Sequence, residues 1–381
     1  MARLGDVATY VNGLAFKPTD WSNEGLPIIR IQDLTGNSYQ ANCYNGTYHP
    51  KYEVNDGDVL ISWSASLGVY VWHGEKAVLN QHIFKVVFNK AEVDKNFFVH
   101  QVQNILENAA SQAHGATMKH LTKPVFDALP FYLPSIKTQK EIAFVLDNVS
   151  ELIALRKEQL AKLDQLVKSR FIELFGDPEQ NPKGWPVVNI TEIIGGKVSN
   201  GFFAKREAYR DDGNVQVLGV ANIVNRMYSC IENLPRTNAT PVDEEKYAVK
   251  YGDMLFCRSS LVAEGIGKAS IVPKDAPRNV LFECHVIRLP LDLQKCIPEF
   301  VQALSTTDFF RRQIIAQSKT ATMTTIGQDG ILKSMIILPP IEQQREFLRF
   351  VEQTDKSKLA IQQSLDKLET LKKSLMQKYF G

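Results

Sequence analysis

The chain has 381 residues, with 44 basic and 42 acidic side chains and a formal net charge of +2, so its charge alone does not indicate a nucleic-acid-binding protein. Its 44% apolar and 23% charged residues are ordinary for a soluble folded protein of two or three domains. The first residues lack the apolar core of a signal peptide, no run approaches the roughly 18 apolar residues of a membrane span, and the five cysteines form no C-x-x-C pair, so we expect a cytoplasmic protein without a disulfide framework or a zinc cluster.

The apolar runs predict two domains of mixed α and β structure. In the first domain, over 1–135, a helix is expected near 96–110 and strands are expected at 27–31, 59–62, 83–88 and 129–133. The second domain is expected over 177–335; it begins with a linker at 177–186 and includes a helical stretch near 298–316. The connections at 17–21, 62–66, 80–82 and 117–123 are rich in polar and aromatic residues. Such loops supply phosphate contacts and donors and acceptors for base edges, although they also occur on surfaces that bind nothing.

An internal repeat relates the two halves of the chain. Residues 133–141 return as 338–346, and Phe175-Gly176 returns as Phe380-Gly381, both at an offset of 205 positions. Residues 57–60 match 252–255 at the shorter offset of 195. Because solenoid and propeller repeats have periods of roughly 20–50 residues, a period of about 200 predicts a duplicated unit of one globular domain plus one helix. Two similar units imply a pseudo-twofold molecule with two similar tasks.

Each half is predicted to end in a long helix, over 136–176 and 336–381. In the first helix, apolar residues three and four positions apart form a seam: Ile142, Leu146, Val149, Ile153, Leu160, Leu163, Val167 and Leu174. The corresponding seam of the second helix, interrupted by Lys358 and Lys372, consists of Phe347, Val351, Thr354, Ile361, Leu365, Leu368, Leu375 and Tyr379. Pro134 precedes the first helix, and Gly176 followed by Pro178 is a stop signal.

The two seams differ in a way that favours pairing of one helix with the other. Arg156 and Arg170 interrupt the first seam at positions where the second has Ile361 and Leu375. A duplicated unit related by a twofold axis would bring the two helices together antiparallel. At about 1.5 Å per residue, roughly 36 residues make a rod of about 54 Å.

The ordered motifs of the chain resemble those of a known family. In the first half they are Gly13-Leu14 with Phe16-Lys17, then 29–34, 57–60, Asn80-Gln81, 115–117, Leu133-Pro134 with Gln139, and 174–178 with Asn181-Pro182 and Trp185. In the second half they are Gly201-Phe202, 217–222, Gly252-Asp253 and 338–344. This series is similar to that of the specificity (S) subunits of type I restriction-modification systems. The second half departs at Glu283-Cys284-His285, which replaces Asn80-Gln81, and at Lys319-Thr320, which replaces Gly115; in the family such positions vary with the DNA sequence that is read.

The resemblance implies an α+β fold of two similar mixed α/β target recognition domains, joined by two long antiparallel coiled-coil helices with an internal pseudo-twofold. Each domain would read one half of a bipartite asymmetric site in the major groove of double-stranded DNA, and the helices would set the unread spacer. A rod of about 54 Å corresponds to roughly 16 base pairs. The resemblance also implies two methyltransferase (M) subunits, possibly two restriction (R) subunits, and no cofactor in this chain, with S-adenosylmethionine in the M subunits and ATP and Mg in the R subunits.

The residues expected to contact DNA are polar, basic or aromatic residues of the connecting loops. For the first half-site they are Lys17, Thr19, Trp21, Arg30, Gln32, Ser62, Trp63, Ser64, Asn80, Gln81, His82, Lys119 and His120. For the second half-site they are Asn200, Lys205, Arg206, Asn222, Arg258, Ser259, Ser260, His285, Lys319, Thr322 and Thr324.

The motifs of an enzyme are missing from the sequence. Pro339-Pro340 lacks the flanking residues of an amino-methyltransferase motif, and residues 265–269 lack parts of a phosphate-binding loop. Cys284 and His285 would point to opposite faces of a strand, so they could not act as nucleophile and base, and Cys284 is expected in the core. No metal-ligand spacing occurs among the seven histidines. The alternatives to a type I specificity subunit are the recognition subunit of a related methyltransferase without an endonuclease and a coiled-coil scaffold that reads no sequence.

Overall fold

The computed structural model describes residues 1–37, 42–112 and 122–381, without the side chains of 110–112. The chain divides into two compact units. Unit 1 consists of Met1–Glu158 and Gln362–Gly381, and unit 2 consists of Gln159–Ile361. Each unit therefore contains one globular part and segments of both long helices. The domain boundaries proposed from the sequence remain predictions.

Unit 1 contains short strands and helices in alternation. Its described strands are β1 (Ala2–Arg3), β2 (Thr9–Asn12), β3 (Leu26–Ile29), β4 (Cys43–Tyr44), β5 (Glu53–Val54), β6 (Val59–Ser62), β7 (Gly68–Val71), β8 (Ala77–Leu79), β9 (Ile83–Val87) and β10 (Pro130–Phe131). Its described helices are α1 (Leu4–Val7), α2 (Ile31–Leu34), α3 (Lys95–Gln112), α4 (Lys123–Asp127), the first part of α5 (Ile136–Phe175) and the last part of α10 (Ile341–Phe380). One antiparallel sheet has the order β2-β9-β6-β7, and a second has the order β4-β3-β8-β5 with β3 and β8 parallel.

Unit 2 has the same plan. Its described strands are β11 (Val187–Asn189), β12 (Ser199–Asn200), β13 (Val215–Leu218), β14 (Arg236–Thr237), β15 (Asp253–Cys257), β16 (Ser259–Ser260), β17 (Ala269–Ile271), β18 (Val280–Phe282), β19 (Val286–Pro290), β20 (Lys319–Thr320), β21 (Thr324–Thr325) and β22 (Met335–Ile337). Its described helices are the last part of α5, then α6 (Pro241–Tyr247), α7 (Pro298–Ser305), α8 (Asp308–Ala316), α9 (Gln328–Leu332) and the first part of α10 (Ile341–Phe380).

The main sheets of the two units have corresponding strand orders. The order β12-β19-β15-β17 repeats β2-β9-β6-β7, and the parallel pair β13 and β18 repeats β3 and β8. The central strands β6, β8, β15 and β18 are buried along their whole length, which explains their largely apolar sequences. The mixed α/β fold class and the internal duplication are confirmed.

Both predicted long helices are present and pair through their seams, but α10 begins at Ile341 and not at residue 336, because Met335–Ile337 forms strand β22. Each has 40 residues, and Gly176 follows α5 with a φ of +77°, which favours glycine at this end. The residues of both predicted seams are buried or half-buried. Within unit 1, Lys157 pairs with Glu369 at 3.0 Å. Within unit 2, ion pairs of 2.7 Å join Asp164 to Lys358 and Arg170 to Glu346, so the helices run antiparallel.

Aromatic cores hold the helices to the globular parts. In unit 1, Phe97 and Phe131 pack with Leu146 of α5 and Met376 of α10. In unit 2, Phe171 lies 5.7 Å from Phe300 and 5.6 Å from Phe347, measured between ring centroids. Each helix therefore contributes apolar side chains to the cores of both units.

One predicted helix is divided. The stretch near 298–316 forms α7 and α8 with a break at Thr306 and Thr307. The hydroxyl groups of these threonines donate to the carbonyl oxygens of Ala303 and Leu304 at 2.7 Å each, and Thr307 caps α8 by accepting from the Phe310 amide.

Across the ranges that the structure describes, no helix has both the length and the apolar character needed to cross a membrane.

Candidate nucleic-acid interface

Three polar connections meet at one end of the unit 1 sheets. The Gly13 amide donates to the Ile83 carbonyl at 3.1 Å, the Asn80 amide to the Ile29 carbonyl at 3.1 Å, and the Trp63 amide to the His82 carbonyl at 3.4 Å. We call Gly13, Trp63, Asn80 and His82 the first platform. The connections after β2, β6 and β8 are thus fixed side by side by backbone hydrogen bonds.

The first platform carries an aromatic surface. The Trp63 indole nitrogen donates to Asn12 Oδ1 at 3.2 Å, and the ring stacks on Phe84 with centroids 5.7 Å apart. The imidazole of His82, which is exposed, lies 5.4 Å from the Trp63 ring, and its Nε2 lies 3.3 Å from Gln81 Nε2. Asn12 and Phe84 were not named from the sequence; both lie in strands, where side-chain alternation alone does not single out a residue.

Arg30 and Gln32 lie beside this platform because β3 runs parallel to β8. Arg30 is half-buried, and both its amide and its Nε donate to Asp33 Oδ2, at 2.8 and 3.1 Å. Gln32 is half-buried in α2. Asn80 Oδ1 is buried and accepts no hydrogen bond from the described residues.

Unit 2 builds the same arrangement from different side chains. The Gly201 amide donates to the Val286 carbonyl at 3.2 Å, the Glu283 amide to the Leu218 carbonyl at 2.9 Å, and the Arg258 amide to the His285 carbonyl at 2.8 Å. We call Gly201, Arg258, Glu283 and His285 the second platform. Trp63 and Arg258 thus occupy equivalent positions, as do His82 and His285.

A small sheet extends the second platform. Ser259 and Ser260 pair with Thr325 and Thr324, and Ser259 Oγ lies 3.1 Å from His285 Nδ1. Lys319, which is exposed, lies on the neighbouring strand β20. The structure therefore brings together the predicted residues Arg258, Ser259, Ser260, His285 and Lys319.

Other predicted contact residues lie on the segments that follow Gly13 and Gly201. Lys17 and Lys205 are both exposed and both precede a single 3₁₀ turn, over Pro18–Asp20 and Arg206–Ala208. Thr19 and Arg206 are exposed within these turns, and Trp21 is 48% exposed just after the first. Asn200 is half-buried at the end of β12.

Several predicted residues are placed less favourably for direct contact with a ligand. Ser62, Ser64 and Thr324 are buried, and the single hydroxyl hydrogen of Ser62 is directed at the Ser66 carbonyl, with the Gly68 carbonyl 3.4 Å from the same Oγ. Asn222 Oδ1 accepts from the Gly219 amide at 3.0 Å, which is the role of Asp33 in unit 1.

Thr322 is exposed in the turn between β20 and β21. Lys119 and His120 lie outside the described residues.

The structure corrects the interpretation of Cys284 and His285. Both lie in the turn between β18 and β19 and not in a strand, so alternation does not apply to them. Cys284 is half-buried and not part of a core cluster, and burial raises the pKa of its thiol. Glu283, which the sequence did not mark as structural, accepts from the Val220 amide at 2.8 Å through Oε1 and fixes this turn.

Within the described ranges, no three His, Cys, Asp or Glu side chains form a group that could hold a metal ion.

Comparisons with known proteins agree with this arrangement. The family model described as type I restriction modification DNA specificity domain matches residues 1–165 and 182–372. The chain is 23% identical to the EcoBI specificity subunit of Escherichia coli, over 99% of this chain and 84% of that protein. It is 21% identical to the MjaVIII specificity subunit of Methanocaldococcus jannaschii, over 99% and 90% of the two chains.

A solved structure has the same fold. The S subunit of a type I restriction-modification system from M. genitalium superposes with a TM-score of 0.54 at 12% identity, covering 100% of this chain and 95% of that one. The family match spans nearly the whole sequence and falls once on each half, as the two platforms do. The chain therefore belongs to the family of type I restriction-modification DNA specificity subunits.

Proposed function

We propose that this chain is the DNA-reading subunit of a type I restriction-modification complex and that each unit recognises one half of a bipartite asymmetric site. The main support for this proposal is that the same platform occurs in both units with different side chains. Trp63 and Asn80 occupy the positions that Arg258 and Glu283 occupy in unit 2. The two platforms have the same backbone arrangement but carry different side chains. This is what two domains that recognise different base sequences in the major groove require.

The helices supply the spacer in this proposal. Each 40-residue helix is about 60 Å long at about 1.5 Å per residue. Duplex DNA rises roughly 3.4 Å per base pair, so one helix matches about 18 base pairs. The ion pairs and the aromatic cores within each unit support the antiparallel pairing of the two helices.

The partners and cofactors are part of the same proposal. Two methyltransferase subunits bind the chain and carry S-adenosylmethionine, and two restriction subunits with ATP and Mg join where the system contains them. The chain itself then performs no chemistry and acts in the cytoplasm. The near-neutral charge of +2 fits this division, because the methyltransferases can share the contacts to phosphates.

Methylome sequencing of cells that express the chain with its methyltransferase tests the proposal. We expect N-methylated adenines in one bipartite motif with a fixed spacer, and none in cells with either protein alone. Purified chain without the methyltransferase should transfer no methyl group from S-adenosylmethionine. A methylated continuous motif, or transfer by the isolated chain, would contradict the proposal.

A further inference from the structure

Arg258 has a backbone that is fixed by hydrogen bonds and a side chain that can still donate hydrogen bonds. Its amide donates to the His285 carbonyl at 2.8 Å, and its carbonyl accepts from the Ile326 amide at 3.0 Å. The next residue, Ser259, is already paired in β16 with Thr325. The backbone at Arg258 is therefore fixed from both sides, which is the condition for placing a long side chain accurately.

The guanidinium group is oriented but not neutralised. Its NH1 nitrogen donates to the Cys284 carbonyl at 3.2 Å. Across the described residues, no carboxylate lies within ion-pair distance of Arg258, in contrast to Arg30, whose guanidinium is paired with Asp33 at 3.1 Å. The side chain is half-buried, so the donors not used by Cys284 are available at the rim of the second platform.

Trp63, at the equivalent position in unit 1, has no side-chain donor left for a ligand. The Trp63 indole nitrogen already donates to Asn12, and the ring is stacked against Phe84. Trp63 therefore presents an apolar ring at the position where Arg258 presents a positively charged guanidinium group with paired N–H donors. Trp63 and Arg258 differ in their side chains and not in their backbone contacts. The Trp63 amide donates to the His82 carbonyl, and the Arg258 amide donates to the His285 carbonyl.

We infer that Arg258 determines specificity for a guanine in the second half-site, through two parallel hydrogen bonds to the guanine O6 and N7, and that the first half-site is read without this contact. Paired donors on one guanidinium match the two acceptors that guanine presents in the major groove. The hydrogen bond to the Cys284 carbonyl limits the orientations that the guanidinium group can adopt. This inference rests on the proposed function.

The test compares methylation motifs and binding for the complete complex of the chain and its methyltransferase. Arg258→Ala should relax one position of one half-site, occupied by a guanine–cytosine pair in the wild type, and leave the other half-site unchanged. Discrimination at that position, measured by competition between duplexes differing in one base pair, should fall roughly 5- to 150-fold. Arg278→Ala is the matched control, because it removes an exposed arginine of the same unit outside the platform, and its motif should not change.

Arg258→Lys serves as a second variant if the alanine variant does not assemble. Lysine keeps the charge but lacks the planar fork, so discrimination should again fall at that one position. An unchanged motif in an assembled variant overturns the inference alone, and so does an equal loss of affinity for all sequences with a smaller salt dependence, which would make Arg258 a phosphate contact. A wild-type complex that marks no bipartite site overturns the proposed function and this inference with it.

Discussion

Gly13 lies directly against the Asn80 carbonyl, so that a Cβ built on Gly13 would come within 2.1 Å of that oxygen. Gly201 has the same relationship with Glu283, at 2.2 Å. Real Cβ atoms do not approach a carbonyl oxygen this closely, and the obstacle is backbone that cannot rotate away. The absence of a side chain at these glycines is what allows the connections to pack together.

Gly13→Ala and Gly201→Ala should therefore destabilise their units. Forcing a methyl group into a filled space costs about 1–3 kcal/mol, which corresponds to a Tm lower by roughly 2–4 °C per kcal/mol. Gly196→Ala is the control, because its nearest neighbour would be a Pro290 side-chain atom at an ordinary 3.4 Å. Thermal unfolding measures the effect, and equal Tm values for Gly201→Ala and Gly196→Ala would show that the contact is not tight.

Lys17 and Lys205 should act alike as phosphate contacts, because each precedes a 3₁₀ turn on the segment beside its platform. Replacing either by Ala should weaken binding to all sequences and reduce the slope of log affinity against log salt by about 1, without altering the motif. Lys197→Ala, at an exposed site before β12, should leave the slope unchanged. The measurement is DNA binding by the complex at several salt concentrations. A changed motif would make these lysines base readers.

Matched insertions in both helices should lengthen the spacer. Four residues added after Ala161 and four after Gln362 fall between the ion pairs Lys157–Glu369 and Asp164–Lys358, so both pairs keep their partners. The insertion adds one turn, about 6 Å, and should widen the methylated motif by one or two base pairs. An active complex with the original spacer would show that the helices do not set the distance.

Unit 1 should lose stability in mild acid because of His100. This side chain is 12% exposed and its Nε2 lies 2.7 Å from Asp147 Oδ1, with Asn96 on the same carboxylate and Lys372 nearby. Burial lowers the pKa of the His100 imidazole, an effect larger than the opposing effect of Asp147. The unfolded chain then takes up a proton below about pH 6.5 while the folded chain resists it, so stability falls as the pH decreases through this range.

Replacing His100 by Gln should flatten the decrease in Tm between about pH 7.5 and 5.5. His73→Gln is the control, because the His73 side chain is 78% exposed, and it should leave the dependence as in the wild type. A steeper dependence in His100→Gln would contradict the direction of the pKa shift.

A half-chain of residues 1–176 should assemble as a homodimer with the methyltransferase and mark an inverted repeat of the first half-site. In the intact chain, Leu375 and Phe380 of α10 pack on the core of unit 1. At the offset of 205, the second copy of the half-chain would supply Arg170 and Phe175 instead. Since Arg170 replaces an apolar residue, assembly should be weaker than that of the intact chain. Methylome sequencing decides the case, and marking of the original asymmetric site would refute two independent readers.

The sequence was sufficient for the features that depend on local pattern. Helix periodicity, the stop at Gly176 and the repeated motif at 133–141 predicted both long helices, because a helix is specified by residues a few positions apart. The charge asymmetry between Arg170 and Leu375 also favoured pairing of one helix with the other, and the ion pair of Arg170 with Glu346 agrees with it.

Only the tertiary structure decided that Arg258 occupies the position of Trp63 and that His285 occupies the position of His82. Gly201 lies 188 positions after Gly13, Arg258 lies 195 after Trp63, and His285 lies 203 after His82, so no single offset aligns the platforms. Insertions in the loops shift the numbering, whereas backbone hydrogen bonds between strands far apart in sequence keep the geometry. The same long-range packing buries Ser62, Ser64 and Thr324 and leaves Arg258 able to donate, which residue type and spacing could not reveal.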